Sequence, residues 1–243
     1  MTISIGLDAD NLFQKLPFGP CVNRVRWISE RCAGLNVLDI GCLDETAFAA
    51  KKHTTVWLHG EIRTRAKSVL GIDSSSRLPE LKREHPDLLG HITQGDVAGI
   101  DGILEQSGFS PDIIVCGELI EHLPAPGDLF RLLSPVMKRT GARLLITTPN
   151  PFAYQSFLLA LLKRESQHVD HLSILSPKIL LRTAERSGLK VSELLTAYTE
   201  YNEFMARPGG LKFGLAVCNS LLFRPFQWLF PSTAGTLILI LES

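Results

Sequence analysis

Short apolar runs rich in β-branched residues alternate along the chain with stretches of helical periodicity. The runs are NVLDI at 36–40, SVLGI at 68–72, GHIT at 90–93, DIIVC at 112–116 and RLLITT at 143–148. Between the fourth and fifth runs, Leu129, Leu132, Leu133, Val136 and Met137 recur at helical spacing, and Gly141 supplies a stop. A later helix has Ser176 as N-cap, Pro177 at the first helical position, an inward stripe of Leu180, Leu181 and Ala184, and Gly188 at its end. LKVSELLTAY at 189–198 then predicts a sixth strand and GTLILILE at 235–242 a seventh. Strands that alternate with helices predict an α/β fold with a largely parallel sheet and helical crossovers. The apolar, aromatic stretch at 204–234 is too long for a hairpin loop and predicts an appended element. The pattern divides the chain into an N-terminal helical cap (1–35), a core (36–195) and an apolar insertion with the final strand (196–243).

Composition narrows the function classes. A chain of 243 residues with 45% hydrophobic content can bury one sizeable core. Lysine plus arginine (25) balances aspartate plus glutamate (25), so the global basic excess of a nucleic-acid binder is missing and no nucleic-acid partner is expected. The cysteines Cys21, Cys32, Cys42, Cys116 and Cys218 are scattered, without Cys-x-x-Cys spacing, which disfavours a disulfide framework and predicts a reducing cytoplasm. The start of the chain carries Asp8 and Asp10 rather than a basic then apolar leader, and no apolar run reaches membrane-spanning length, so a soluble protein is expected.

The chemistry gathers at the strand ends, where ligands of open parallel sheets bind. The first strand ends in Asp39-Ile40-Gly41-Cys42, whose glycine permits close backbone approach. The second ends in Gly71-Ile72-Asp73, an acid placed to accept two hydrogen bonds from a ribose diol. After the third comes Gly95-Asp96-Val97, an acid and a small apolar surface suited to an adenine amino group and ring. The fourth runs into CGELIEHL, with Glu118, Glu121 and His122. Taken singly, Asp73 and Asp96 read better as turn or cap residues than as ligand contacts, and only their occurrence in series favours ligand contact.

In this order the strand ends resemble the class I S-adenosylmethionine-dependent methyltransferases over residues 36–195. TTPNP after the fifth strand and HVDHLSILSPKILLRTAERSGLKV at 168–191 resemble segments of that family's small-molecule branch. The resemblance implies a Rossmann-like, doubly wound, seven-stranded sheet, mostly parallel with an antiparallel last strand, and S-adenosylmethionine as cofactor. It implies cofactor contact by Asp39, Gly41, Cys42, Asp73, Ser74, Asp96, Val97, Gly117 and Glu118, and O- or N-methylation of a small-molecule or glycan- or lipid-linked acceptor. His122 and His171 are the candidate catalytic residues; His122 either takes a proton from an acceptor hydroxyl or borders the cofactor structurally. Family members continue Gly-x-Gly where this chain reads Gly41-Cys42-Leu43-Asp44, and an insertion at 44–56 accounts for the late Asp73. S-adenosylmethionine carries no pyrophosphate, so one glycine can serve where a dinucleotide needs several. The displaced first helix is WLHGEIRTRAKSV at 57–69, capped by Thr54 or Thr55.

Other readings stand beside these. The missing Gly-x-Gly-x-x-Gly turn argues against a nicotinamide oxidoreductase, whereas a non-catalytic binding module is a stronger rival. His168 and His171 flank Asp170, but no third ligand at recognisable spacing follows, and no metal is expected. Tyr154 and Asn150 border an acceptor pocket or serve ordinary loop roles. The aromatic residues of 211–230, with Lys212 and Arg224 interspersed, predict packing on the sheet, a homodimer contact or peripheral membrane contact.

Overall fold

The computed structural model describes residues 7–8, 11, 13–45, 47–199 and 210–243; the side chains of 211, 212, 215 and 216, and so the expected role of Lys212, lie outside the described residues. The strands are β1 (Cys21–Val22), β2 (Asn36–Ile40), β3 (Ser68–Asp73), β4 (Ile92–Gln94), β5 (Ile113–Gly117), β6 (Arg143–Pro149), β7 (Lys190–Ala197) and β8 (Thr236–Glu242). They form one sheet in the order β1-β7-β8-β6-β5-β2-β3-β4. All pairings are parallel except those of β8, which runs antiparallel to both β6 and β7. The sheet is thus mixed α/β with a reversed last strand, as expected, but it has eight strands rather than seven. The additional one, Cys21–Val22, pairs with Thr196 and Ala197 and is too short for any periodicity to reveal.

Helices cover both faces because successive strand residues point to opposite sides and almost all are apolar. Leu38, Ile40, Ile114 and Cys116 join a core beneath α6 (Ile100–Ser107), α7 (Pro126–Thr140) and α9 (Pro177–Arg186). Val37, Ile113 and Val115 face the other way, towards α1 (Arg24–Arg31) and α3 (Leu58–Arg65), which contribute Ile28 and Ile62. Ser176 caps α9 by accepting from the Ile179 amide, and Pro177 occupies the first helical position, as its sequence predicts. Residues 21–31, within the segment expected as a helical cap, form β1 and α1 and are built into the sheet and its second core.

A third, smaller core gives the insertion its shape. It gathers Cys42, Leu43, Phe48 and Trp57 with Leu78 and Leu81 of α4 (Leu78–Glu84), Leu89 of α5 (Pro86–Leu89) and Ile92. The predicted loop at 44–56 therefore contains a short helix, α2 (Phe48–Lys51), whose Phe48 packs edge-on against Trp57 at 5.4 Å. Neither Thr54 nor Thr55 caps α3. The helix begins at Leu58 with Trp57 at its N-cap, while the Thr54 hydroxyl donates to the Lys51 carbonyl and closes α2 instead.

The appended stretch contains α10 (Gly210–Leu229), which lies beside α8 (Tyr154–Leu161). The Tyr154 hydroxyl bonds Asn219, and the Tyr154 ring stacks on Phe223.

Candidate active site

A cavity of about 560 Å³ opens at the carboxyl ends of the parallel strands, a size suited to a small molecule. Gly41 forms one wall. Its φ of 72° lies in the left-handed region that favours glycine, and a Cβ there would meet Leu119 Cδ1 at 3.1 Å, a tight contact. The turn is tied down on its outer side, where the Leu43 amide donates to Asp73 Oδ2 at 2.9 Å and the Gly41 amide to the Ile72 carbonyl at 2.8 Å.

Asp39 anchors the floor. It is buried, and His59 of α3 places Nδ1 2.7 Å from its Oδ2. His59 Nε2 lies 2.6 Å from His91 Nε2, with the two rings coplanar and edge to edge. A neutral His59 that donates through Nδ1 accepts through Nε2, which makes His91 the donor between them. Burial, then the neighbouring His59, lowers the His91 pKa to about 3.

Opposite Gly41, β5 delivers the acidic group. Glu118 has φ 53°, a left-handed conformation that costs a non-glycine residue free energy and is held by the bonds of its amide to Thr147. Arg24 Nε lies 3.9 Å from Glu118 Oε1 and also donates to Thr147 Oγ1. Glu121 is buried, and its Oε2 accepts from the Thr148 hydroxyl at 3.0 Å. Burial, followed by the nearby Glu118, raises its pKa to about 8. Glu118 Oε1 and Glu121 Oε1 are both buried without a hydrogen-bond partner among the described residues.

The segment after α8 closes over this group. The Leu172 and Ser173 amides donate to the Glu121 carbonyl and bring His171 edge-on to His122, with ring centroids 4.8 Å apart. His122 Nδ1 lies 3.2 Å from the Asp170 carbonyl, and His171 Nδ1 lies 3.1 Å from Gln167 Oε1. Each contact requires a protonated Nδ1 and leaves Nε2 with its lone pair in the neutral ring. Burial, then His122, lowers the pKa of His171, which favours that neutral form. Ligand atoms of Glu121, His122 and His171 all lie within 4.8 Å of one another.

Of the expected site residues, Asp39, Gly41, Cys42, Gly117, Glu118, His122 and His171 line the cavity together. Asp73, Ser74, Asp96 and Val97 do not. Asp73 accepts from the Leu43 and Ser75 amides, and Asp96 caps a short turn by accepting from the Gly99 amide. Asn150 and Tyr154 also lie off the cavity lining; the Asn150 amide donates to the carbonyls of Ser232 and Ala234. Arg24, His59 and Tyr198 line the cavity without having been singled out from the sequence. A signal existed for one of the three, a histidine on the inner face of α3. Arg24 has no motif around it.

A mostly parallel sheet with a reversed final strand and a cavity at the carboxyl ends of its strands is the architecture of a class I S-adenosylmethionine-dependent methyltransferase. A family model described as a methyltransferase domain matches residues 21–194, and the chain belongs to that family. The chain is 27% identical over 180 residues to a ubiquinone biosynthesis O-methyltransferase of Aeromonas salmonicida, covering 70% of this chain and 71% of the relative. It is 28% identical over 181 residues to the Pseudomonas aeruginosa protein of the same name, covering 71% and 72%. Among solved structures, the small RNA methyltransferase HEN1 aligns with a TM-score of 0.52 at 15% identity, covering 90% of this chain and 24% of that one. A cyclopropane-fatty-acyl-phospholipid synthase-like protein from Lactobacillus casei aligns at 0.50 and 13%, covering 90% and 89%. These two likenesses concern the fold. The protein is an S-adenosylmethionine-dependent enzyme.

Proposed function

We propose that the protein methylates a hydroxyl oxygen of a small-molecule acceptor. The observation that carries this reading is the meeting of Glu118, His122 and His171 on the cavity wall, with the buried Glu121 directly behind the two imidazoles. S-adenosylmethionine supplies an activated methyl group when bound. The protein's task is then to align the acceptor, exclude water and receive a proton. His122 or His171 takes that proton, and the ion pair of Arg24 with Glu118 holds the acidic wall in place. Gly41, Cys42, Gly117 and Asp39 border the methionyl end of the cofactor. Asp73, Ser74, Asp96 and Val97 take its adenosine end; each Asp73 oxygen that accepts one amide retains a further lone pair for a ribose hydroxyl. The O-methyltransferase names of the relatives support oxygen as the acceptor atom.

A second reading of the same wall is favoured by its donor set. A buried carboxylate with an oxygen that makes no hydrogen bond among the described residues and two imidazoles within 4.8 Å suit a divalent cation, which Glu121, His122 and His171 would hold and which would polarise an acceptor hydroxyl. Calorimetry with S-adenosylmethionine, followed by a methyl-transfer assay on a panel of hydroxyl-bearing small-molecule acceptors with and without chelator, tests both readings. Glu121→Gln and His171→Gln should each lower kcat by about a hundredfold or more while cofactor affinity persists. Cofactor binding with no turnover on any hydroxyl acceptor would point instead to a binding module, and activity indifferent to chelator would remove the cation.

A further inference from the structure

Helix α10 is built inside out. Its polar Gln227 is 1% exposed and spends its side-chain oxygen on the Thr199 amide, and Asn219 turns in to Tyr154. The opposite stripe, spaced at three and four residues, is apolar and faces solvent: Leu221 is 72% and Leu222 71% exposed, and Cys218, Pro225 and Leu229 continue the line. Its partner α8 has no buried residue and presents Phe157, Leu158 and Leu161, with Leu162 just past its end, on one side. The pair is locked together by the Tyr154–Phe223 stack, so the two apolar stripes belong to one surface unit. Trp228 and Phe230 stand exposed at its end.

The charges beside these stripes are mainly positive: Lys163, Arg164 and Arg224 are exposed there, with Glu165 following Arg164, and the sequence carries no aspartate or glutamate from residue 129 to 164 or from 204 to 241. Two copies meeting through this face would oppose like charges; an anionic surface would be attracted. Exposed leucines backed by cations, with Trp and Phe at the margin, match the requirements of an interfacial helix that lies in the headgroup layer. No helix among the described residues is long and apolar enough to cross a membrane, which leaves α10 to lie on one. The helix also adjoins the active site, because the Arg224 guanidinium sits 5.3 Å above the ring of Tyr198, a residue of the cavity lining.

We propose that α8 and α10 form a docking surface for an anionic lipid bilayer, which places the mouth of the active-site cavity at the membrane. The test is flotation of the full chain with vesicles of phosphatidylcholine alone and of phosphatidylcholine mixed with phosphatidylglycerol. The protein should float with the mixed vesicles, float poorly with the neutral ones, and bind more weakly as salt is raised. Leu221→Glu combined with Leu222→Glu, and Phe157→Glu separately, should each lower vesicle affinity about tenfold or more, from the apolar burial lost. Both changes fall on solvent-facing positions, so calorimetric binding of S-adenosylmethionine should match the parent protein and certify the fold. The proposal is overturned if the parent floats with neither vesicle, if the variants float equally well, or if neutral and anionic vesicles capture equal amounts. It is also overturned if sedimentation shows a dimer that these substitutions dissociate, which would give the face to a second copy.

Discussion

Asp39 shows how a single strand-end acid is committed by its surroundings. With His59 2.7 Å from its Oδ2 and His91 2.6 Å beyond, it heads a hydrogen-bonded chain that holds it at the cavity lining. His91 has its pKa pushed from an ordinary 6.5 to about 3 by burial first and then by His59, Arg63 and Lys82. Between those values the unfolded chain binds more protons at this site than the native one, so stability rises with pH across the window and is lost as pH falls below 6.5. Urea midpoints should therefore drop from pH 7 to pH 5, and His91→Gln should flatten that slope; an unchanged slope would show that His91 is not the titrating group. The strand-end positions of Asp39, Asp73, Asp96 and Glu118 were legible in the sequence. Their partners were not, because His59 and His91 are separated by 20 and 32 residues along the chain from the groups they meet, and only the folded sheet brings them together. The same holds for His171, whose neighbour in the fold is Glu121 rather than the adjacent Asp170 alone.

At the scale of elements, strands and long helices were readable because each carries a continuous apolar pattern that tertiary packing merely completes. The inserted segment was not, since its order comes from a separate small core. Trp57 is buried, edge-on to Phe48, and so close to α3 that a Cβ on Gly60 would lie 2.6 Å from its ring. That packing fixes Leu43, whose amide holds Asp73, so the insertion stiffens the turn that would otherwise rely on a second glycine. Trp57→Ala should cost about 3 to 5 kcal/mol of unfolding free energy in urea, the range for truncating a large buried aromatic side chain. It should also weaken S-adenosylmethionine binding, because the Gly41 turn loses its support; a variant with full affinity would detach the insertion from cofactor recognition. Helix α10 was legible as an apolar element but not in its orientation, since an outward apolar stripe reverses the rule by which such stripes are assigned to the core.

For the molecule as a whole, topology puts residues 236–242 inside the sheet, with a strand on either side. β8 pairs with β6 on one side and β7 on the other, and Leu237, Ile238, Leu239, Ile240 and Leu241 are buried on both faces. Without it, β6 would keep its pairing to β5 but lose an entire edge, while β7 and β1 would have no bond to the rest of the sheet. The consequence reaches the active site, because Thr236 and Tyr198 line the cavity from β8 and from just past β7, and Asn150 at the end of β6 is held by the carbonyls leading into β8. A chain ending at Gly235 should therefore lose its cooperative urea transition and its cofactor binding together, with the exposed edges of β6 and β7 driving self-association. Far-ultraviolet circular dichroism and size-exclusion chromatography read both effects. A truncated chain that stays monomeric and keeps the parent's sheet signal would mean that β6 and β7 are held by the helices flanking them, and β8 would then be a filler of the sheet rather than the strand that closes it.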